Sequence, residues 1–185
     1  MQKYSVFSLI KNAFSDHQNW EVAWKDPTPK SEYDVVIIGG GGHGLATAYY
    51  LAKEHKITNV AVIEKGWIGG GNVGRNTTII RSNFMHDANA RFNEFGMNLW
   101  RNLSQELNFN VMFSPRGIIN LAHSDAQMNA YARRGNSMRL NGIDAKLLNR
   151  EEVKKLIPMA DFSDEVRFPI FGGLMQPSAG TARHD

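Results

Sequence analysis

The sequence predicts an α/β fold, α+β overall, in which a Rossmann-like βαβ region opens a longer, mainly β region. Three observations carry this. Val35-Val36-Ile37-Ile38 is a continuous β-branched run, the pattern of a strand covered on both faces. Five glycines occupy the six positions from Gly39 to Gly44, interrupted by His43. Asn59-Val60-Ala61-Val62-Ile63 reads as a second buried strand, closed by Glu64.

The elements follow in order. Residues 1–30 are mixed and end in Asp26-Pro27-Thr28-Pro29-Lys30; two prolines so close predict an extended arm entering the first domain. Leu45 to Ala52 predicts a helix with a small-residue face between the two strands. Gly66 to Gly74 holds five glycines in nine positions, too many for a regular element, and predicts a loop. Asp87 to Leu107 reads as a helix with Phe92, Phe95, Leu99 and Leu103 on its apolar face. Asn110 to Phe113 and Gly117 to Leu121 read as strands joined by a Ser114-Pro115-Arg116 turn. Ser124 with Gln127 caps a helix running to about Leu140, and Asn149 with Glu152 caps a short one before Pro158. Arg167 to Met175 reads as a strand. The division expected is an arm at 1–30, a nucleotide-binding region at 31–108 and the start of a substrate region at 109–185.

Composition narrows the function classes. At 185 residues the chain is one domain or a large piece of one. With 42% hydrophobic and 21% charged residues it is no disordered chain. Cysteine is absent, which removes disulfides and thiolate metal sites. The net charge of +3 comes without any Lys/Arg run, so no nucleic-acid partner is expected. The longest purely aliphatic stretch, Val35 to Ile38, is far short of the ~20 residues of a membrane helix. The first residues are too polar for a signal peptide, so the location expected is cytoplasmic.

The chemistry begins at Gly39-x-Gly41-x-x-Gly44. A pyrophosphate suits the positive end of a helix and its free N–H groups, and side chains there would block its approach. Glycine is therefore needed at the turn, at the phosphate contact and where helix meets strand. Glu64, 20 residues after Gly44, ends the second strand, where its carboxylate can accept hydrogen bonds from a ribose diol. The same carboxylate repels a 2′-phosphate and disfavours NADP. FAD and NAD are not separated by this fingerprint. The second loop, Gly69 to Asn76, argues for FAD, since its amides and its Asn, Thr and Arg neighbours suit a flavin ring.

Longer blocks carry a family resemblance. Asp34 to Ala52, Ile63-Glu64-Lys65-Gly66-Trp67, Gly70 to Asn72, the run RNTTIIRSN from Arg75 to Asn83, Phe113 to His123, and the closing Gly180-Thr-Ala-Arg-His-Asp185 together resemble the β subunits of heterotetrameric sarcosine oxidase. The first block alone resembles only D-amino-acid-oxidase-like, FAD-dependent oxidoreductases. The resemblance implies an FAD domain with a mainly β substrate domain. It implies oxidative demethylation of sarcosine to glycine, with formaldehyde or 5,10-methylenetetrahydrofolate and hydrogen peroxide as the other products. It further implies non-covalent FAD contacted by Gly42, His43, Glu64, Asn72, Thr77, Thr78 and Ile79, besides Gly39, Gly41 and Gly44 of the fingerprint. A second flavin, FMN, would be covalently attached at His184, where oxygen is reduced. Expected partners are the α, γ and δ subunits, with tetrahydrofolate and NAD bound on α.

Arg81 is a candidate for the substrate carboxylate, because a guanidinium fork matches a carboxylate with two parallel hydrogen bonds; the other reading pairs it with the flavin or a surface acid. His43 is expected to shape the helix start or touch FAD. His86 and His123 show no metal-ligand spacing, and no metal is expected. The family's β subunit is considerably longer, so the expectation is a truncated sheet with apolar edges exposed and a chain inactive alone. Two other readings stay open: a related enzyme of another N-methyl amino acid such as dimethylglycine, and a non-catalytic FAD-binding assembly fragment.

Overall fold

The first strand forms where the β-branched run places it. In the computed structural model, which describes residues 5–16, 18 and 28–183, β1 (Val35–Ile38) pairs in parallel with β2 (Val60–Ile63), Val35 opposite Val60 and Ile38 opposite Ile63. Parallel neighbours need a crossover, and helix α2 (Gly42–His55) supplies it. This helix starts inside the glycine run rather than at Leu45, so the loop's last glycines are its first turn. Ile37 points toward the start of α2, whereas Val36 and Ile38 are 52% and 90% exposed. A run apolar enough to be covered on both faces is thus covered on one, and the face carrying Val36 and Ile38 is open.

The described residues divide into two compact units, one up to residue 76 and the other residues 77–183. In the first, the expectation of an extended arm is corrected. Helix α1 (Val6–Phe14) forms there, capped by the Ser5 hydroxyl, which accepts from the Ser8 N–H at 3.1 Å. Its apolar residues recur three and four positions apart, and prolines at 27 and 29 cannot restrain a helix so far upstream. Residues 19–27 of the arm lie outside the described residues.

The second unit is built on two small antiparallel sheets. One has the order β3-β8-β4, from β3 (Ile79–Ile80), β8 (Gly180–Ala182) and β4 (Phe113–Ser114). The other has the order β5-β7-β6, from β5 (Ile118–Ala122), β7 (Gly172–Gln176) and β6 (Lys146–Asn149). The hairpin expected between residues 110–113 and 117–121 does not form: β4 pairs with β8 and β5 with β7. Gly117, at φ +86°, turns the chain between the two sheets and donates its N–H to the Ala179 carbonyl. The strand expected from Arg167 begins only at Gly172, since the segment before it is held by other contacts. His123 Nδ1 lies 3.1 Å from the Phe168 carbonyl, and Phe171 N–H donates to Ala122.

Helix α3 (Asp87–Leu107) has the predicted span but not the predicted inner face. Phe92 and Phe95 are 72% and 64% exposed, while Ala90 and Met97, two turns apart, are buried. Helix α4 (Asp125–Leu140) is capped by Ser124 as predicted, though the Gln127 side chain turns back to the N–H of His123. Helix α5 (Arg150–Leu156) has the full capping box between Asn149 and Glu152. Leu174 of β7 anchors one core cluster with Ala90, Met138 and Ile143, and Val153 with Leu148 and Ile170 forms another. Burying each such Leu, Ile or Met contributes about 1.5–3 kcal/mol.

Candidate functional site

The glycine run supplies a shaped turn. Gly39 sits at φ +109°, a conformation side chains resist, and its N–H donates to the Ile63 carbonyl at 2.7 Å, extending the strand pairing by one rung. A Cβ on Gly44 would lie 1.9 Å from the Gly39 carbonyl oxygen, so helix and strand approach as closely as glycine permits. Around Gly41 a Cβ would meet nothing within 4 Å. Gly41 is also the N-cap of α2, and no side chain caps that helix end. Unoccluded space, free first-turn N–H groups and the helix dipole fit a pyrophosphate. His43 is exposed in this first turn, its carbonyl accepting from Thr47 Oγ1 at 2.7 Å.

Glu64 is brought to the same turn. Its Oε2 accepts from the Gly40 N–H at 2.8 Å and its Oε1 from the Gly66 N–H at 2.9 Å. These backbone donors, Gly40 first, hold its pKa below the ordinary 4.5 against a smaller opposing effect of desolvation. An ionised carboxylate has about four acceptor sites, so two remain for a diol. A depressed folded-state pKa stabilises above the unfolded value and loses that stabilisation as pH falls through the folded one. The ribose-binding capacity of this carboxylate is therefore expected to fade only as pH falls below the ordinary carboxylate range. Glu64→Gln, which presents one donor where two acceptors are needed, should weaken flavin binding about tenfold at neutral pH, with the gap closing on acidification. Flavin fluorescence against pH measures both.

The second glycine loop folds back on the first. Gly69 N–H donates to the Gly40 carbonyl at 3.0 Å, and a Cβ on Gly42 would stand 3.0 Å from Val73 Cγ2. Asn72 leads into the 3-10 turn Val73–Arg75 and is exposed. Gly39 to Gly44, Glu64 and Asn72 thus belong to one unit.

Thr77, Thr78, Ile79 and Arg81 belong to the second unit. Thr78 has φ +61°, which for a β-branched residue costs about 1–3 kcal/mol and requires surrounding support. That support comes from the Ala182 N–H, which donates to the Thr78 carbonyl at 2.9 Å, and from the Ile79–Thr181 pairing that follows. Thr77 and Ile79 are exposed. Arg81, half-buried, donates from Nη1 to Asn83 Oδ1 and lies 5.1 Å from the Phe84 ring centroid. His184 lies outside the described residues. His86 is the residue that precedes the first turn of α3, and among the described residues no His, Asp and Glu cluster is built to hold a metal ion. No helix among the described residues is long and apolar enough to cross a membrane.

Sequence reasoning missed a buried polar cluster behind Arg81. Ser82, Asn83 and Gln176 are 0%, 1% and 0% exposed. Ser82 N–H donates to Gln176 Oε1 at 3.0 Å, Gln176 Nε2 donates to Ser82 Oγ at 2.6 Å, and Ser82 Oγ donates to Glu94 Oε2 at 2.6 Å. The partners stand up to 94 positions apart, beyond any local pattern.

The FAD dependent oxidoreductase family matches residues 34–185. The chain belongs to that family. It is 60% identical to "Sarcosine oxidase subunit beta" of Rhizobium meliloti (strain 1021), over 99% of this chain and 44% of that protein. It is 51% identical to the protein of the same name from Rhodobacter capsulatus, over all of this chain and 44% of that one. The chain thus spans less than half the length of these relatives. Among solved structures, the L-proline dehydrogenase of P. horikoshii superposes with a TM-score of 0.74 at 30% identity, over 83% of this chain and 39% of that one. A glycine oxidase from Geobacillus kaustophilus, at 22% identity and TM-score 0.71 over 82% of this chain and 41% of that one, shares the fold. The α/β expectation and the resemblance drawn from the motif blocks are both borne out.

Proposed function

We propose that this chain is the FAD-bearing part of a sarcosine oxidase β subunit, working in a multi-subunit complex. The observation that carries the reading is the 60% identity, over 99% of this chain, to a protein of that name. The glycine turn agrees with it: Gly39, Gly41, Gly42 and Gly44 receive the pyrophosphate, and Glu64, ionised and oriented by two backbone N–H groups, takes the ribose hydroxyls. Asn72, His43, Thr77, Thr78 and Ile79 are further FAD contacts by the family resemblance. FAD, when bound, supplies the two-electron acceptor for oxidising the N-methyl amine. The chain's own contribution is to bind and orient. Arg81, lying on an aromatic ring with one N–H donor already engaged, offers its remaining donors to the substrate carboxylate. The products are glycine, hydrogen peroxide and formaldehyde or its folate adduct.

His184 as the attachment point of a second flavin, and α, γ and δ subunits as partners, complete the proposal. The test is the visible spectrum of the full-length protein purified with its partners, before and after acid precipitation. A pellet that stays yellow while further flavin is released is the expected result, and His184→Ala should leave the pellet colourless. A colourless wild-type pellet overturns the covalent FMN; sarcosine that fails to bleach the bound flavin overturns the substrate.

A further inference from the structure

Arg81 leaves β3 into a tight turn, where the Phe84 N–H donates to the Ser82 carbonyl at 2.7 Å. The turn is fixed by its side chains. Ser82 is held by Gln176 of β7 and by Glu94 of α3, while Asn83 Nδ2 donates to Asn120 Oδ1 of β5 at 2.6 Å. The other end of the Asn83 amide faces the guanidinium. A guanidinium only donates, so it is the Asn83 oxygen that must receive Arg81, and the Asn83 nitrogen that must find the acceptor on Asn120. The acid of the cluster is engaged elsewhere: Glu94 accepts from Ser82 and lies 3.6 Å from Arg101. Among the described residues no carboxylate lies within ion-pair distance of Arg81.

We infer that Asn83 is the positioning residue of Arg81, a neutral clamp that fixes the guanidinium while leaving its positive charge for an anionic ligand. The inference rests on Arg81 binding the substrate carboxylate. A free arginine must give up rotamer entropy when it binds, and holding it in advance removes that cost from binding. An aspartate at 83 would hold the fork as well but neutralise it, so the choice of amide over acid is what serves a carboxylate ligand.

Asn83→Asp in the assembled full-length complex tests this, because it keeps shape and removes neutrality, and the Asn120 amide can flip to donate to the new carboxylate. Two quantities are read: the Kd of acetate, from its perturbation of flavin absorbance, and the KM values of sarcosine and of dimethylamine, which has no carboxylate. Acetate and sarcosine should each weaken by about tenfold or more, with dimethylamine changed less than about twofold. If Arg81→Gln weakens acetate and sarcosine but Asn83→Asp leaves them at wild-type values, the clamp is overturned and the Arg81 reading stands. If Arg81→Gln itself changes neither, the Arg81 reading falls and the clamp with it. Should Asn83→Asp fail to load flavin, Asn120→Ala decides: acetate and sarcosine are expected to weaken about threefold, and wild-type values overturn the proposal.

Discussion

Gly44→Ala is expected to leave the full-length protein with less than about a tenth of the FAD that the wild type holds. The added Cβ would sit 1.9 Å from the Gly39 carbonyl oxygen, and 3.1 Å from its carbon. The obstacle is backbone, so no side-chain rotation relieves it. Either α2 lifts away from β1 or the Gly39 turn opens. Overpacking of this kind costs about 1–3 kcal/mol where neighbours can move, and more where they cannot. Both outcomes displace the first-turn N–H groups and the Gly40–Glu64 contact, so the phosphate and ribose ends of the cofactor are lost together. Gly41→Ala is the control. Its Cβ meets no protein atom within 4 Å, so the fold should survive and only the approach of the cofactor suffer. Equal flavin content and equal thermal stability in wild type and Gly44→Ala would refute the close-approach argument.

The first unit was legible because its signals are local. A β-branched run, a glycine fingerprint and an acid at the end of the next strand each report on a few neighbouring positions, and backbone sterics leave few other arrangements. The caps at Ser124 and Asn149 were legible for the same reason. The second unit was harder. Strands of two or three residues, such as β3, β4 and β8, have no period to detect, and β6, Lys146-Leu147-Leu148-Asn149, has no β-branched residue to mark it. The expected hairpin failed because the Ser114-Pro115-Arg116 turn signal is real but joins two sheets rather than two partners. The inner face of α3 was misread because aromatic residues outweigh alanine in any apolar pattern. Yet the small Ala90 and flexible Met97 face the core, and Phe92 and Phe95 face out. Arg81 was found from residue type and motif, whereas its supporting amides depend on pairings across 37 to 94 positions.

Those pairings carry the second large expected effect, on Gln176→Leu. Gln176 is fully buried and makes both halves of a reciprocal contact with Ser82, besides reaching Met97 Sδ at 3.6 Å and Ser178 Oγ at 3.4 Å. Leucine fills nearly the same volume, so no large cavity opens. What it removes is the acceptor of the Ser82 N–H, a donor on a fully buried residue. Leaving one such group unsatisfied costs about 1–3 kcal/mol, and the lost donor to Ser82 Oγ adds to it, for a total of about 2–4 kcal/mol. In a protein of the relatives' size, more than twice the length of this chain, each kcal/mol lowers Tm by roughly 1 °C, so a fall of about 2–5 °C is expected in thermal unfolding of the full-length protein. Gln176→Glu should do no better: it keeps the acceptor but buries a carboxylate that shares Ser82 with Glu94, and like charges so close are costly in the interior. The decisive comparison is the double variant with Ser82→Ala. If the two side chains act as one unit, the double variant should lose less than the sum of the singles by about 1 kcal/mol or more. Strict additivity would mean that Gln176 stabilises through packing alone, and that the hydrogen bonds behind Arg81 are incidental to the core around them.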